Sequence, residues 1–149
     1  MKPISEVEAA YLAAFIDGEG TVTLSRVHLG QMRYLVVSAC NNEREIIDWV
    51  QKTTGIGHVT RKHRASVAHA ENFTWRVASR RALQLLERIA PYMLGYKRLR
   101  AQLALAEYIA VTPRNGKYTR ERLRARADFE RRFFLLRPPQ PDHCNAVAQ

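Results

Sequence analysis

Residues 11–20 read YLAAFIDGEG, a small-residue helical run that closes on two acids set among glycines. After Ser5, a candidate cap, Val7, Ala10, Tyr11, Ala14 and Phe15 recur at helical spacing, and Gly18 and Gly20 are expected to stop the helix. Asp17 and Glu19 then stand at a helix C-terminus. The backbone there already carries partial negative charge, so each acid costs about 0.3–1 kcal/mol. Positive charge is expected nearby, from a divalent cation, a lysine or a neighbouring helix N-terminus. Ala10, Ala14 and Gly18 fall four apart with Ala13 beside them, a stripe along which backbones can approach closely. Within one chain such a stripe seats another helix. Between two copies it packs the helix against itself and brings both Glu19 carboxylates to the foot of the pair, where like charges need a cation between them.

Downstream, TVTLSRVHL and RYLVVSAC carry β-branched residues in alternation, and the glycine-containing GQM between them reads as a hairpin connection. A helix is expected over about 42–53, after which GIGHVTRKHR and ENFTWRVAS repeat the hairpin pattern. SRRALQLLERIA begins a helix capped by Ser79 and interrupted at Pro91; YKRLRAQLALAEYIAV resumes it. RNGK makes an Asn-Gly turn, and TRERLRARADFERRFFLL gives a last basic amphipathic helix. The expected fold is therefore α+β, in the order αββαββα with extra C-terminal helices: a four-stranded antiparallel sheet with helices on one face. Residues 1–137 read as one domain, with a core over about 6–111 and a helical extension over 112–137. The proline-rich stretch 138–149 is expected to be a disordered tail.

Alternation assigns the sheet faces. Val22, Leu24, Leu35, Val37, Ala39, Val59, Phe73, Trp75 and Val77 are expected to point inward. The free face then carries Thr21, Thr23 and Ser25, then Tyr34, Val36 and Ser38, then His58, Thr60, Lys62 and Arg64, and finally Asn72, Thr74 and Arg76. A polar, basic β surface of this kind suits a major groove, where base edges display a readable donor and acceptor pattern. Arg61, Lys62, His63 and Arg64 also suit phosphate contacts, and in the last helix so do Arg120, Arg124 and Arg131, opposite an inward Phe129, Phe133 and Leu136.

The bulk numbers agree. Twenty-four Lys and Arg against fourteen Asp and Glu leave the 149-residue chain at +10, an excess that favours polyanionic partners. Cys40 and Cys144 form neither a disulfide framework nor a zinc pattern, and the five histidines are scattered. No window approaches a membrane span, so an intracellular location, cytoplasmic or inside an organelle, is expected with no membrane partner. GIGHV at 55–59 ends a helix and opens a strand, the reverse of the phosphate-binding order, so no nucleotide cofactor is expected.

LAAFIDGEG, Leu12 to Gly20, resembles the nine-residue LAGLIDADG signature, with Ala14 where that motif usually has Gly, Phe15 for Leu, Gly18 for Ala and Glu19 for the second Asp. The following hairpins and helices are similar to that family's repeat over roughly residues 6–111. The resemblance implies a homing endonuclease, an enzyme of intron or intein mobility, and one motif implies the homodimeric subclass. Each copy is then expected to read half of a long pseudo-palindromic double-stranded DNA site, and the pair to make a metal-dependent double-strand break with short 3′ overhangs. It further implies metal at Glu19 with the Gly18 carbonyl assisting, and Asp17 holding the turn. Mg²⁺ suits such oxygen ligands, with Mn²⁺ or Ca²⁺ able to substitute for binding. Lys97 matches the family's basic residue, a stabiliser of transition-state charge, although Arg98 or Arg100 could do the same work. Asn41 matches the polar residue after the second strand, with Asn42 and Arg44 as rivals. The dimer interface is expected at Ala10, Ala13, Ala14 and Asp17. The alternative is a non-cleaving DNA-binding regulator or an RNA-binding intron maturase of the same fold, which needs the basic face and dimer helix without the chemistry.

Overall fold

Helix α1 (Glu6–Glu19) begins at a capping box. Ser5 Oγ accepts the Glu8 amide at 3.2 Å, and the Glu8 carboxylate accepts the Ser5 amide at 2.7 Å. The helix runs through Gly18 and ends at Gly20, whose N–H donates to the Ile16 carbonyl. A Cβ on Gly20 would lie 2.7 Å from the Ile16 backbone and 2.9 Å from the Ser38 carbonyl. Glycine therefore lets α1 turn directly into strand β1 (Gly20–Ser25) while pressed on strand β2 (Tyr34–Asn41). The computed structural model describes residues 1–62, 71–114 and 118–138. His63, Arg64, His69, the turn at 115–117 and the tail at 139–149, with His143 and Cys144, lie outside the described residues.

Strands β3 (His58–Lys62) and β4 (Asn72–Ala78) complete an antiparallel sheet in the order β1-β2-β4-β3, so the two hairpins meet at β2 and β4. Every inward assignment but one is buried; Val59, on the edge strand, is partly buried against the core. Helices α2 (Arg44–Thr54), α3 (Ser79–Ile89) and α4 (Gly95–Val111), with a 3-10 turn at Ala90–Tyr92, join α1 around that core. Helix α5 (Arg120–Leu135) packs on α4 and puts Phe129 and Phe133 into the same core.

Local geometry departs from the sequence reading at four places. The first strand ends at Ser25, leaving 26–33 as the connection. α2 starts at Arg44, because the Asn41 side chain accepts the Glu43 amide at 2.8 Å and holds the chain in a turn. Ser79 is not the cap of α3: extended Ala78 occupies that position, and Ser79 is the first helical residue, with φ of +56°. α1 buries Ala9, Leu12, Ala13 and Ile16, while Val7, Tyr11 and Ala14 from the expected repeat are exposed. Small and apolar residues surround this helix, so periodicity could not say which face turns inward.

Candidate metal centre and nucleic-acid interface

The C-terminus of α1 meets the N-terminus of α4, and each end supplies what the other lacks. Lys97, 9% exposed, donates from Nζ to the carbonyls of Ile16 at 3.1 Å and Asp17 at 2.8 Å. The Ile16 carbonyl already accepts the Gly20 N–H, whereas Asp17 is a terminal acceptor of the helix; Lys97 adds a donor to both. In return the Asp17 carboxylate accepts the Leu94 amide, the cap position of α4, at 2.5 Å. Burial pushes the Lys97 pKa below the ordinary lysine value, Asp17 and Glu19 pull it back up, and Arg100 lowers it further. The compensating charge for the two acids is thus a lysine together with a helix N-terminus.

Glu19 is exposed at the end of α1, within electrostatic reach of Lys97, and its carboxylate has no hydrogen bond or ion pair among the described residues. Lys97 takes the two carbonyls just before Gly18. The donors left at this corner are oxygens, the set a hard divalent cation prefers. No group of three or more His, Cys, Asp or Glu side chains that could hold a metal occurs among the described residues.

Arg100 cannot replace Lys97. Its guanidinium donates to the Leu136 carbonyl at 2.7 Å and the Val22 carbonyl at 3.0 Å, between the rings of Tyr96 and Phe133. Arg98 is exposed. Asn41 pairs in register with Phe73, on the helix side of the sheet, and its amide oxygen is committed to the turn before α2. No hydrogen bond joins Asn41 to Glu19 or Lys97 among the described residues. Its rivals Asn42 and Arg44 are exposed, and Arg44 pairs with Asp48 at 3.1 Å.

On α1, Ala14 and Gly18 are exposed and Ala10 and Asp17 partly so, and no other helix of the chain covers that stripe among the described residues. Ala13 does not belong with them. It is 0% exposed in the core, because one residue along a helix turns the side chain about 100° away from Ala14. The exposed stripe continues past Val7 and Tyr11 into an apolar cleft of about 410 Å³ lined also by Ile46 and Trp49 of α2.

Register orders the free face of the sheet into cross-strand rows. Thr21, Ser38, Arg76 and His58 form one; Cys40, Thr74 and Thr60 form the next; Asn72 stands opposite Lys62; and Ser25 opposite Tyr34. Thr23 pairs with Val36. Two residues expected to contact DNA stand apart from the open polar face. Val36 is only 3% exposed, since Arg76 reaches across it to the Tyr34 hydroxyl at 3.0 Å. Arg61 falls on the opposite face, in register with Phe73, where it pairs with Glu71. Cys40 belongs to the free face and bonds Thr74 through its sulfur at 3.2 Å; the even-number alternation of β2 was the signal for it. Arg26 and His28, read from sequence as strand, are exposed in the β1–β2 connection beyond this face.

The four-stranded antiparallel sheet with one polar face free, and the helix ending in acids that runs directly into its first strand, belong to a fold shared with solved LAGLIDADG homing endonucleases. Among solved structures, the homing endonuclease I-CvuI in complex with its DNA target in the presence of calcium superposes with a TM-score of 0.69 at 22% identity, over 91% of this chain and 85% of that one. An archaeal intron-encoded homing endonuclease complexed with DNA, I-Vdi141I, superposes with a TM-score of 0.60 at 14% identity, over 91% and 87%. I-SmaMI bound to cleaved DNA gives 0.62 at 15% identity, but its match covers 90% of this chain and only 50% of that one. No family model and no curated protein matches the sequence. No helix among the described residues is long and apolar enough to cross a membrane.

Proposed function

We propose that the protein is a site-specific DNA endonuclease that acts as a homodimer with a divalent metal and leaves short 3′ overhangs. The observation that carries this reading is the corner at Glu19: an exposed carboxylate without a partner among the described residues, beside a buried lysine, at the foot of an uncovered small-residue helix face. Two copies packed through Ala10, Ala14, Gly18 and Asp17 set two such corners side by side, and the second copy and DNA phosphate supply further ligands. The match to most of I-CvuI but half of I-SmaMI supports the same view, in which this chain supplies one unit of a paired architecture.

Glu19 and the Gly18 carbonyl would hold the metal, which when bound polarises the scissile phosphate and activates water. Mg²⁺ is the cation of choice, and Mn²⁺ or Ca²⁺ can stand in for binding. Lys97 keeps its charge fixed by two backbone carbonyls and so needs no reorganisation when negative charge grows on the phosphate. The Thr, Ser, His, Asn and Arg residues on the free face of the sheet read base edges, while the overall positive charge draws in the DNA backbone. The protein acts inside the cell or an organelle, where DNA is found.

Glu19→Gln tests the reading on a site recovered by binding selection from a random DNA pool. The substitution is expected to abolish cutting in Mg²⁺ and leave the complex intact. Equal cutting by both proteins contradicts the assignment of Glu19. A wild type that binds a palindrome and never cuts leaves the DNA-binding regulator as the better description.

A further inference from the structure

The β1–β2 hairpin extends beyond its neighbour. β4 pairs with β2 only from Val36 onward, so among the described residues no strand lies on that side of residues 33–35. Side chains from α4 and α5 take its place. Tyr108, 3% exposed, accepts the Leu35 amide at 3.2 Å. Arg126, 5% exposed, donates from Nη2 to the Arg33 carbonyl and from Nη1 to the Tyr118 hydroxyl at 2.5 Å and the Val111 carbonyl at 3.4 Å. Its Nε donates to Glu130 at 3.3 Å, and Glu130 in turn pairs with Arg33 at 3.5 Å. The Arg33 guanidinium also lies 5.0 Å over the ring of Phe134. One face of α5 thus grips the root of the hairpin by backbone and side chain, while Val27, Leu29 and Met32 at its tip are exposed.

A buried guanidinium is costly to desolvate and is a poor device for stability alone. Its fork of donors does fix several acceptors in one geometry, which a lysine cannot. We propose that Arg126 is a positioning residue for DNA recognition: by holding Arg33 it sets the angle at which the β1–β2 hairpin meets DNA, and with it the base preference at the outer end of each half-site. The inference rests on the DNA-recognition reading above and places a determinant of specificity in a buried side chain away from the reading face.

Arg126→Lys keeps the charge and loses the fork; Glu130→Gln perturbs the same grip from a partly exposed position and is safe for folding. Two readouts are needed: amide hydrogen exchange of the full chain, and base preference by selection from a random pool. Both variants should speed exchange in residues 26–35, by about tenfold in Arg126→Lys, while residues 72–78 stay protected. Discrimination at the outer base pairs should fall about tenfold in Arg126→Lys, while central preferences and the cutting rate on saturating consensus DNA are retained. Unchanged exchange in 26–35, or a loss spread evenly over all base positions in both variants, overturns the proposal. A wild type that selects no DNA overturns the recognition reading and this inference with it. A selected site whose profile stays unmoved in Arg126→Lys overturns this inference alone.

Discussion

Lys97 and Glu19 divide the corner between them: one holds the helix end together, and the other makes no hydrogen bond or ion pair among the described residues. Replacing Lys97 with Met takes the lysine donor from the Asp17 carbonyl and from the Ile16 carbonyl, which keeps the Gly20 N–H. Denaturant unfolding should show a loss of about 1–3 kcal/mol, together with loss of cutting. Glu19→Gln removes an exposed acid from a helix C-terminus, so its stability should stay within about 0.5 kcal/mol of wild type. A large destabilisation in Glu19→Gln would show that the acid is structural. Glu19 was legible because two acids at a helix end demand an explanation, and Lys97 because the resemblance fixed its place. The turn-forming bond of Asn41 was not legible, because a polar residue after a strand serves equally as a turn former, and only the geometry shows its oxygen accepting the Glu43 amide.

At the level of elements, the turn from α1 into β1 depends on the missing side chain of Gly20. Gly20→Ala drives a methyl into backbone on two sides and should cost about 1–3 kcal/mol in unfolding experiments. Next to it, Gly18 has nothing within 4 Å of an added Cβ, so Gly18→Ala should fold normally as a monomer. α4 and α5 are tied by Arg132, which bonds both Glu107 and Asp128. The Arg132 bond holds the Glu107 carboxyl below its usual pKa, and Arg131 and then Arg132 do the same for Asp128. Carboxylates with depressed pKa stabilise the fold above their unfolded values and lose that effect as pH falls through the folded ones. Arg132→Ala should therefore be less stable than wild type at pH 7, and the gap should close as pH falls below about 4. A gap independent of pH would assign the loss to packing. Strand alternation was readable because apolar and polar residues separate cleanly along β1 and β4. The face of α1 was not, because α1 carries small and apolar residues on its exposed side as well as its buried one.

For the whole molecule, the uncovered α1 stripe and the open ligand set at Glu19 make the same demand for a second copy. Ala14→Glu, at an exposed position of that stripe, should leave the fold intact and give a monomer in sedimentation; a dimeric variant would place the interface elsewhere. Helix α5 was read as a grip for phosphate, yet Phe129 and Phe133 tie it into the core, so deleting it would strip the fold. Removing exposed charge is the cleaner test: Arg120→Gln with Arg124→Gln should flatten the salt dependence of DNA binding, by about 0.9 in log-log slope for each phosphate no longer neutralised. The measurement that bears most directly on the account is selection of cleaved sites from a randomised plasmid library in Mg²⁺, with a chelator control and Glu19→Gln alongside. The account predicts pseudo-palindromic sites with short 3′ overhangs, recovered only with metal and with Glu19. Cut sites lacking two-fold symmetry, or cutting that survives the chelator or the loss of Glu19, would contradict it.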